Sequence, residues 1–220
     1  MVQSETLCNI EAPSIATDNK FNNFLFQQIE KERRFCRLYQ KQNGSFLTSD
    51  FYIIDEILKH VPNDESILTK TFLEPSCGHG AFLVRLILKA YMINSDQQKI
   101  ENFIQNNLFF VDVDSNMIID TKKNICDIFS FLFKKKYQKT FNDFTLDFTL
   151  FEKRKANTIE KLQSLYQRID YVIGNPPYVT LYGRRDKKKN EDQRIFYLNT
   201  FDQFPQKIKN GKINYIMLFI

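Results

Sequence analysis

The sequence lacks most of the features that mark a secreted, membrane or metal-bound protein. Its four cysteines, Cys8, Cys36, Cys77 and Cys126, lie far apart and form no C-x-x-C pair. That argues against a zinc site or a disulfide framework and fits a reducing compartment. No stretch approaches the roughly 18 consecutive apolar residues of a membrane span. The opening "MVQSETLCNIEAPSIATDNK" has no basic segment followed by an apolar run, so no secretory signal is expected. An excess of one charge is missing too: Lys+Arg 31 against Asp+Glu 26 leaves a net charge of +5, which permits a polyanionic partner without requiring one. These absences together lead us to expect a cytoplasmic chain with no membrane partner.

What is present is 220 residues, 43% of them hydrophobic, enough for one sizeable core. Beyond a loose leader, apolar residues recur at helical intervals from Phe21 to about Gln42. A second helix follows, ending before Pro62. Strand-like and helix-like segments then alternate. Strands are expected at Lys70–Glu74, at Asn107–Val113, within Phe141–Phe151 and at Ile169–Asn175. Helices are expected over "AFLVRLILKAYMI", from about Ser115 to Lys135, and over "IEKLQSLYQR". Near-continuous apolar strands separated by helices predict an α/β domain with a doubly wound, mostly parallel sheet covered on both faces.

Two strand-to-loop junctions carry the chemistry. In "FLEPSCGHGAFL" the chain leaves a strand, turns on Gly78 and Gly80, and enters a helix. Glycines there let the backbone approach a ligand closely. The third glycine of a pyrophosphate-binding G-x-G-x-x-G is missing, and Glu74 stands ahead of the turn. A carboxylate is poor company for phosphate and good company for a cationic or amine-bearing ligand, so S-adenosyl-L-methionine fits better than NAD or ATP. In "VDVDS", Asp112 or Asp114 could accept both hydroxyls of a ribose, although an Asp at such a place also serves as a helix cap. The second junction, "DYVIGNPPY", delivers Asn175, Pro176, Pro177 and Tyr178 to a strand tip. Two prolines stiffen that tip and leave their carbonyls without competing N–H groups, which suits a planar ligand bearing N–H donors.

In this order the segments resemble the N6-adenine DNA methyltransferases of type II restriction–modification systems, in the group whose target-recognition region follows the catalytic domain. The resemblance runs from about Gly44 to the end. "FLEPSCGHGAFL" is similar to the family's cofactor loop, "FVDVDS" to its ribose-binding acidic position, and "GNPPY" to its catalytic motif. "LDFTLF" looks like the Asp-Phe segment at the cofactor's adenine, and "KINYIMLFI" like the helix after the catalytic loop. "GSFLTSDFYIIDEIL" is similar to the segment that closes over the cofactor's methionine end, with Ser49 where the family has Pro. The resemblance implies a Rossmann-like, class I S-adenosyl-L-methionine-dependent methyltransferase domain over 44–220, behind a leader and helical extension at 1–43. It implies Thr48, Glu74, Gly78, Gly80, Asp112, Asp147 and Phe148 as cofactor-binding residues. Asn175, Pro176 and Tyr178 would be catalytic, acting on an adenine flipped out of double-stranded DNA. The basic run Arg184, Arg185, Lys187, Lys188 would lie along the phosphates, although a charged run of this kind is equally a solvated loop. No metal is implied.

Other substrates share the motif: a glutamine in a protein, or an adenine in RNA. A catalytically silent DNA-binding subunit could also retain the fold. The sequence ends on the apolar run "INYIMLFI", where a methyltransferase of this kind would continue with further strands and a recognition region. The expectation is therefore a domain completed by a C-terminal target-recognition region or by a companion subunit.

Overall fold

The computed structural model describes residues 51–145 and 168–175, with Lys188, Asp192 and Ile195 as isolated positions. The expected helix over 21–42 and the helix preceding Arg168 lie outside them. Helix α1 spans Phe51–Leu58 and is followed by a short 3-10 turn, Glu65–Thr69. Strand β1 is Phe72–Glu74, helix α2 Ala81–Ile93, helix α3 Gln97–Asn107 and strand β2 Leu108–Asp112. Helix α4 spans Ser115–Phe133, and strands β3 and β4 are Asn142–Thr145 and Tyr171–Val172.

The four strands form one parallel sheet in the order β3-β2-β1-β4. The chain leaves β1 toward β2 and β3 on one side, then returns to place β4 on the other. The gap between β1 and β4 is thus the point where strand order reverses. In open α/β sheets ligands settle outside the carboxyl ends of the strands at such a point.

Alternation along each strand explains why both faces are apolar. Phe72, Leu108, Phe110 and Ile173 join the main core with side chains from α1 to α4, among them Ile54, Leu83, Ile87, Phe103, Ile125 and Phe129. Leu73, Phe109 and Val111 turn to the opposite face and are buried as well, with Phe144 and Ile169 against them. Each fully buried large side chain contributes roughly 1.5–3 kcal/mol relative to an exposed one.

Helix α3 was not expected from the sequence. Asp96 caps it by accepting from the Lys99 N–H at 2.8 Å, and Ile100, Phe103 and Ile104 form its buried stripe. Strand β4 is shorter than its apolar run suggested, and the hold on its base explains why so short a strand keeps its register. The Asp170 carboxylate accepts from the Thr71 N–H at 2.8 Å, from the Thr71 hydroxyl at 2.9 Å and from Lys70 Nζ at 3.2 Å. Tyr171 stacks on Phe72 of β1, ring centroids 5.1 Å apart. Among the described residues β4 forms an edge of the sheet, and Val172 is 56% exposed.

Candidate functional site

The carboxyl ends of β1, β2 and β4 bring together Glu74, the Cys77–Gly80 turn, Asp112 and Asn175. Strand β1 ends in the buried Glu74, and among the described residues its Oε2 has no hydrogen-bond partner. Burial first, and the Asp112 charge second, hold the Glu74 carboxyl well above its ordinary value. Orphaned buried polar atoms are rare because each costs about 1–3 kcal/mol. This one lies at the switch point of the sheet.

The turn after β1 is left-handed at both glycines, φ 52° at Gly78 and 77° at Gly80. At Gly80 the requirement is also steric: a Cβ there would sit 2.8 Å from Thr121 Cγ2. Gly80 caps α2 without any side-chain bond. The Gly78 N–H donates to Asp112 Oδ2 at 2.9 Å, and the Asp114 N–H donates to Asp112 Oδ1 at 3.0 Å. A carboxylate has about four acceptor sites; the Gly78, Asp114 and Val113 N–H groups take up most of them, and the remainder is open to a ribose hydroxyl. Burial raises the Asp112 carboxyl, opposed by those backbone bonds. Asp114 caps α4, accepting from the Asn116 N–H at 2.9 Å. Val113, 70% exposed between them, offers an apolar surface beside Asp112.

From the other side β4 leads into Gly174, whose φ of 144° belongs to glycine. A Cβ at Gly174 would lie 3.4 Å from Glu74 Cγ, so this backbone passes directly over the Glu74 side chain. The Ser76 hydroxyl donates to the Asn175 carbonyl at 3.3 Å, joining the two loops. The turn and Asn175, a hundred residues apart in sequence, therefore share one corner.

Helix α1 is docked so that its start faces the same corner. Asp55 forms a two-point ion pair with Arg85 of α2, Nε to Oδ1 at 2.8 Å and Nη2 to Oδ2. Lys89 Nζ donates to the Leu58 carbonyl at 2.8 Å. The two contacts ascend both helices in the same direction, so α1 runs parallel to α2 and its first residue lies level with the glycine turn.

Of the site residues expected from the sequence, Glu74, Gly78, Gly80, Asp112 and Asn175 converge. Thr48, Asp147, Phe148, Pro176, Tyr178, Arg184, Arg185 and Lys187 lie outside the described residues. Lys188 is helical and exposed. His79 is a turn residue: its Nδ1 pairs with Asp120 Oδ2 at 3.1 Å, and burial holds its basicity below the usual imidazole value against the pull of Asp120. Cys77 is buried, and that burial pushes its thiol up. Sequence reasoning missed Thr121 and Asn124, polar residues buried within the apolar stripe of α4. Thr121 donates to the Gly78 carbonyl and Asn124 to the His79 carbonyl, both at 2.9 Å. Two polar side chains where periodicity asks for apolar ones were the available signal. Among the described residues no group of His, Cys, Asp and Glu side chains could hold a metal ion, and no helix is long and apolar enough to cross a membrane.

No family model matches the chain, and no curated protein matches it at a significant level. Solved structures do match. The cryo-EM structure of a DrdV–DNA complex superposes with a TM-score of 0.59 at 18% identity, over 94% of this chain and 22% of the other. The ATP-dependent Type ISP restriction-modification enzyme LlaBIII, bound to DNA, superposes with a TM-score of 0.52 at 17% identity, over 76% of this chain and 12% of the other. At such identities the likeness is one of fold, and the chain spans less than a quarter of either protein. Its parallel α/β sheet is a fold also found within a restriction–modification enzyme.

Proposed function

We propose that this chain carries the catalytic fold of an S-adenosyl-L-methionine-dependent DNA methyltransferase of a restriction–modification system, acting on the N6 amino group of adenine. One observation carries the reading: the buried, partnerless Glu74 Oε2 lies at the switch point, between a glycine turn and the strand that delivers Asn175. The resemblance of the motifs and the fold shared with proteins solved on DNA support it.

The residues present fit the cofactor. Glu74 suits an amine or sulfonium, Gly78 and Gly80 leave room for close approach, and Asp112 retains acceptor capacity for a ribose hydroxyl. Thr48 at the methionine end and Asp147 and Phe148 at the adenine end are assigned by resemblance. When bound, S-adenosyl-L-methionine supplies an electrophilic methyl group. The adenine N6 is a poor nucleophile because its lone pair is delocalised into the ring. Asn175 Oδ1 and the Pro176 carbonyl, each accepting an N6–H bond, draw that nitrogen toward tetrahedral geometry and localise the lone pair. Asn provides an acceptor without formal charge, and the methylated nitrogen is acidic enough to lose its proton without a dedicated base. Alignment and preorganised acceptors supply most of the rate. Tyr178 stacks on the extruded base. Arg184, Arg185, Lys187 and Lys188 contact phosphates and position the duplex.

The test combines binding with product analysis. The full chain should bind S-adenosylhomocysteine by isothermal titration. Its expression, completed by a target-recognition region or companion subunit, in a host without adenine methylation should place N6-methyladenine in the DNA, dependent on Asn175. Failure to bind, or methyl groups found on protein glutamine or RNA instead of DNA, would overturn the proposal.

A further inference from the structure

Helix α4 grips the glycine turn at three points. Asp120 pairs with the His79 side chain, Thr121 donates to the Gly78 carbonyl and Asn124 donates to the His79 carbonyl. Thr121 and Asn124 are buried, so their polar groups were desolvated in order to make these bonds. Within the turn one backbone bond, from the Gly80 N–H to the Cys77 carbonyl at 2.8 Å, closes the chain on itself. Gly78 and Gly80 lack side chains and both adopt left-handed φ, the conformation with the most freedom to change.

The Thr121 contact reaches furthest. Its hydroxyl donates to the Gly78 carbonyl at 2.9 Å, with Cys77 Sγ 3.4 Å away. On the other side of the same α-carbon, the Gly78 N–H donates to Asp112 Oδ2. Both peptides flanking Gly78 are therefore pinned, one to α4 and one to the end of β2. Without the Thr121 hydroxyl, the Gly78 carbonyl loses its direct tie to α4, and the Gly78–His79 peptide is held only through its neighbours. The neighbouring N–H, which orients one of the two Asp112 oxygens, then loses its fixed direction.

We propose that Thr121 is a positioning residue for the nucleoside part of the bound cofactor, acting through Gly78 on the Asp112 carboxylate that receives the ribose hydroxyls. This rests on the reading of the corner as an S-adenosyl site.

The experiment is a cycle in which both protein and ligand are trimmed. Thr121→Ser keeps the hydroxyl and Thr121→Ala removes it, while both lose the methyl group against Gly80. Each full-length chain is titrated with S-adenosylhomocysteine and with its 2′,3′-dideoxy analogue. In the wild type and in Thr121→Ser, loss of the diol should weaken binding by about tenfold, the scale of one or two hydrogen bonds. In Thr121→Ala, S-adenosylhomocysteine should bind about five- to tenfold more weakly than in Thr121→Ser, and the two ligands should bind nearly alike. A purely structural role would weaken both ligands equally and leave the diol's contribution intact, and that result overturns the inference. So does Thr121→Ala binding like Thr121→Ser. Should the alanine chain not fold, Thr121→Val fills the same space and provides the same comparison. A wild-type chain that binds neither ligand overturns the reading of the site and this inference with it. A wild-type chain that binds both, with the diol's contribution unchanged in the variant, overturns the inference alone.

Discussion

The two loops that meet over Glu74 are held in opposite ways. The glycine turn is gripped along its length, by α4 at Gly78 and His79, by Asp112 at the Gly78 N–H, and by the Val111 carbonyl at the Cys77 N–H. The β4 tip is anchored at its base, where Asp170 and Tyr171 fasten it to β1, and again by the bond from Ser76 to the Asn175 carbonyl. The difference teaches a division of labour. A turn built into the fold suits a cofactor that must be seated in one geometry. A tip fastened at its base suits an acceptor that, on the proposed reading, is presented to an incoming base.

Breaking each side separately sharpens that contrast. The largest effect is expected at Asn175. Asn175→Ala should cut methyl transfer by on the order of 10²–10³-fold or more, with the affinity for S-adenosylhomocysteine unchanged. Single-turnover transfer and titration calorimetry, run in parallel, separate the two quantities. Gly80→Ala should do the reverse. Its Cβ would collide with Thr121 and its φ of 77° disfavours any side chain. We expect a stability loss of about 1–3 kcal/mol by urea unfolding, together with lost cofactor affinity. Wild-type stability in that variant would mean that α4 does not constrain the turn.

Asp170→Ala tests the anchor at the base of β4. It removes the bracket on Thr71 and Lys70, so turnover should fall severalfold while cofactor affinity holds. Hydrogen bonds from Thr71 keep the Asp170 carboxyl below its ordinary value, so the stabilisation from this bracket should be present at neutral pH and fade as pH falls into the acid range. An unaltered turnover would show that β4 is placed by other contacts.

The smallest effect concerns Glu74. Folding raises its carboxyl above the ordinary value of 4.5, so above that pH the folded chain retains a proton that the unfolded chain has released. Stability of the ligand-free protein should therefore decline as pH rises beyond 4.5 toward the folded value. Glu74→Gln should flatten the decline and weaken the cationic ligand. Asp112, also raised, leaves a residual slope of the same sign. Thermal melts across pH 5–8 read the difference, and identical slopes in the two proteins would contradict the orphaned carboxyl.

How much was legible in advance follows the range of each interaction. The β1–turn–α2 unit was readable because its signals are local: an apolar strand, two glycines at their turn positions and a continuous helical stretch. Helix α3 escaped notice because three apolar residues in eleven make a faint stripe, although Asp96 was in place to cap it. Spacing leaves the contacts of Asp112 and Asp114 alike, since both stand at a strand end before a helix; the Gly78 N–H, 34 residues from Asp112, bonds Asp112, whereas Asp114 caps α4. Thr121 and Asn124 looked like interruptions of an apolar face until the fold placed the turn's carbonyls beside them. The brevity of β4 was equally hidden. Its register depends on Thr71, 99 residues from Asp170, and no window along the chain contains both.

The most direct measurement is the structure of the full chain with S-adenosylmethionine bound. The account predicts a nitrogen or the sulfonium of the ligand against Glu74 Oε2, the ribose on Asp112, and the methyl group directed toward Asn175. A ligand seated away from the β1–β4 gap, with Glu74 still lacking a partner, would contradict it.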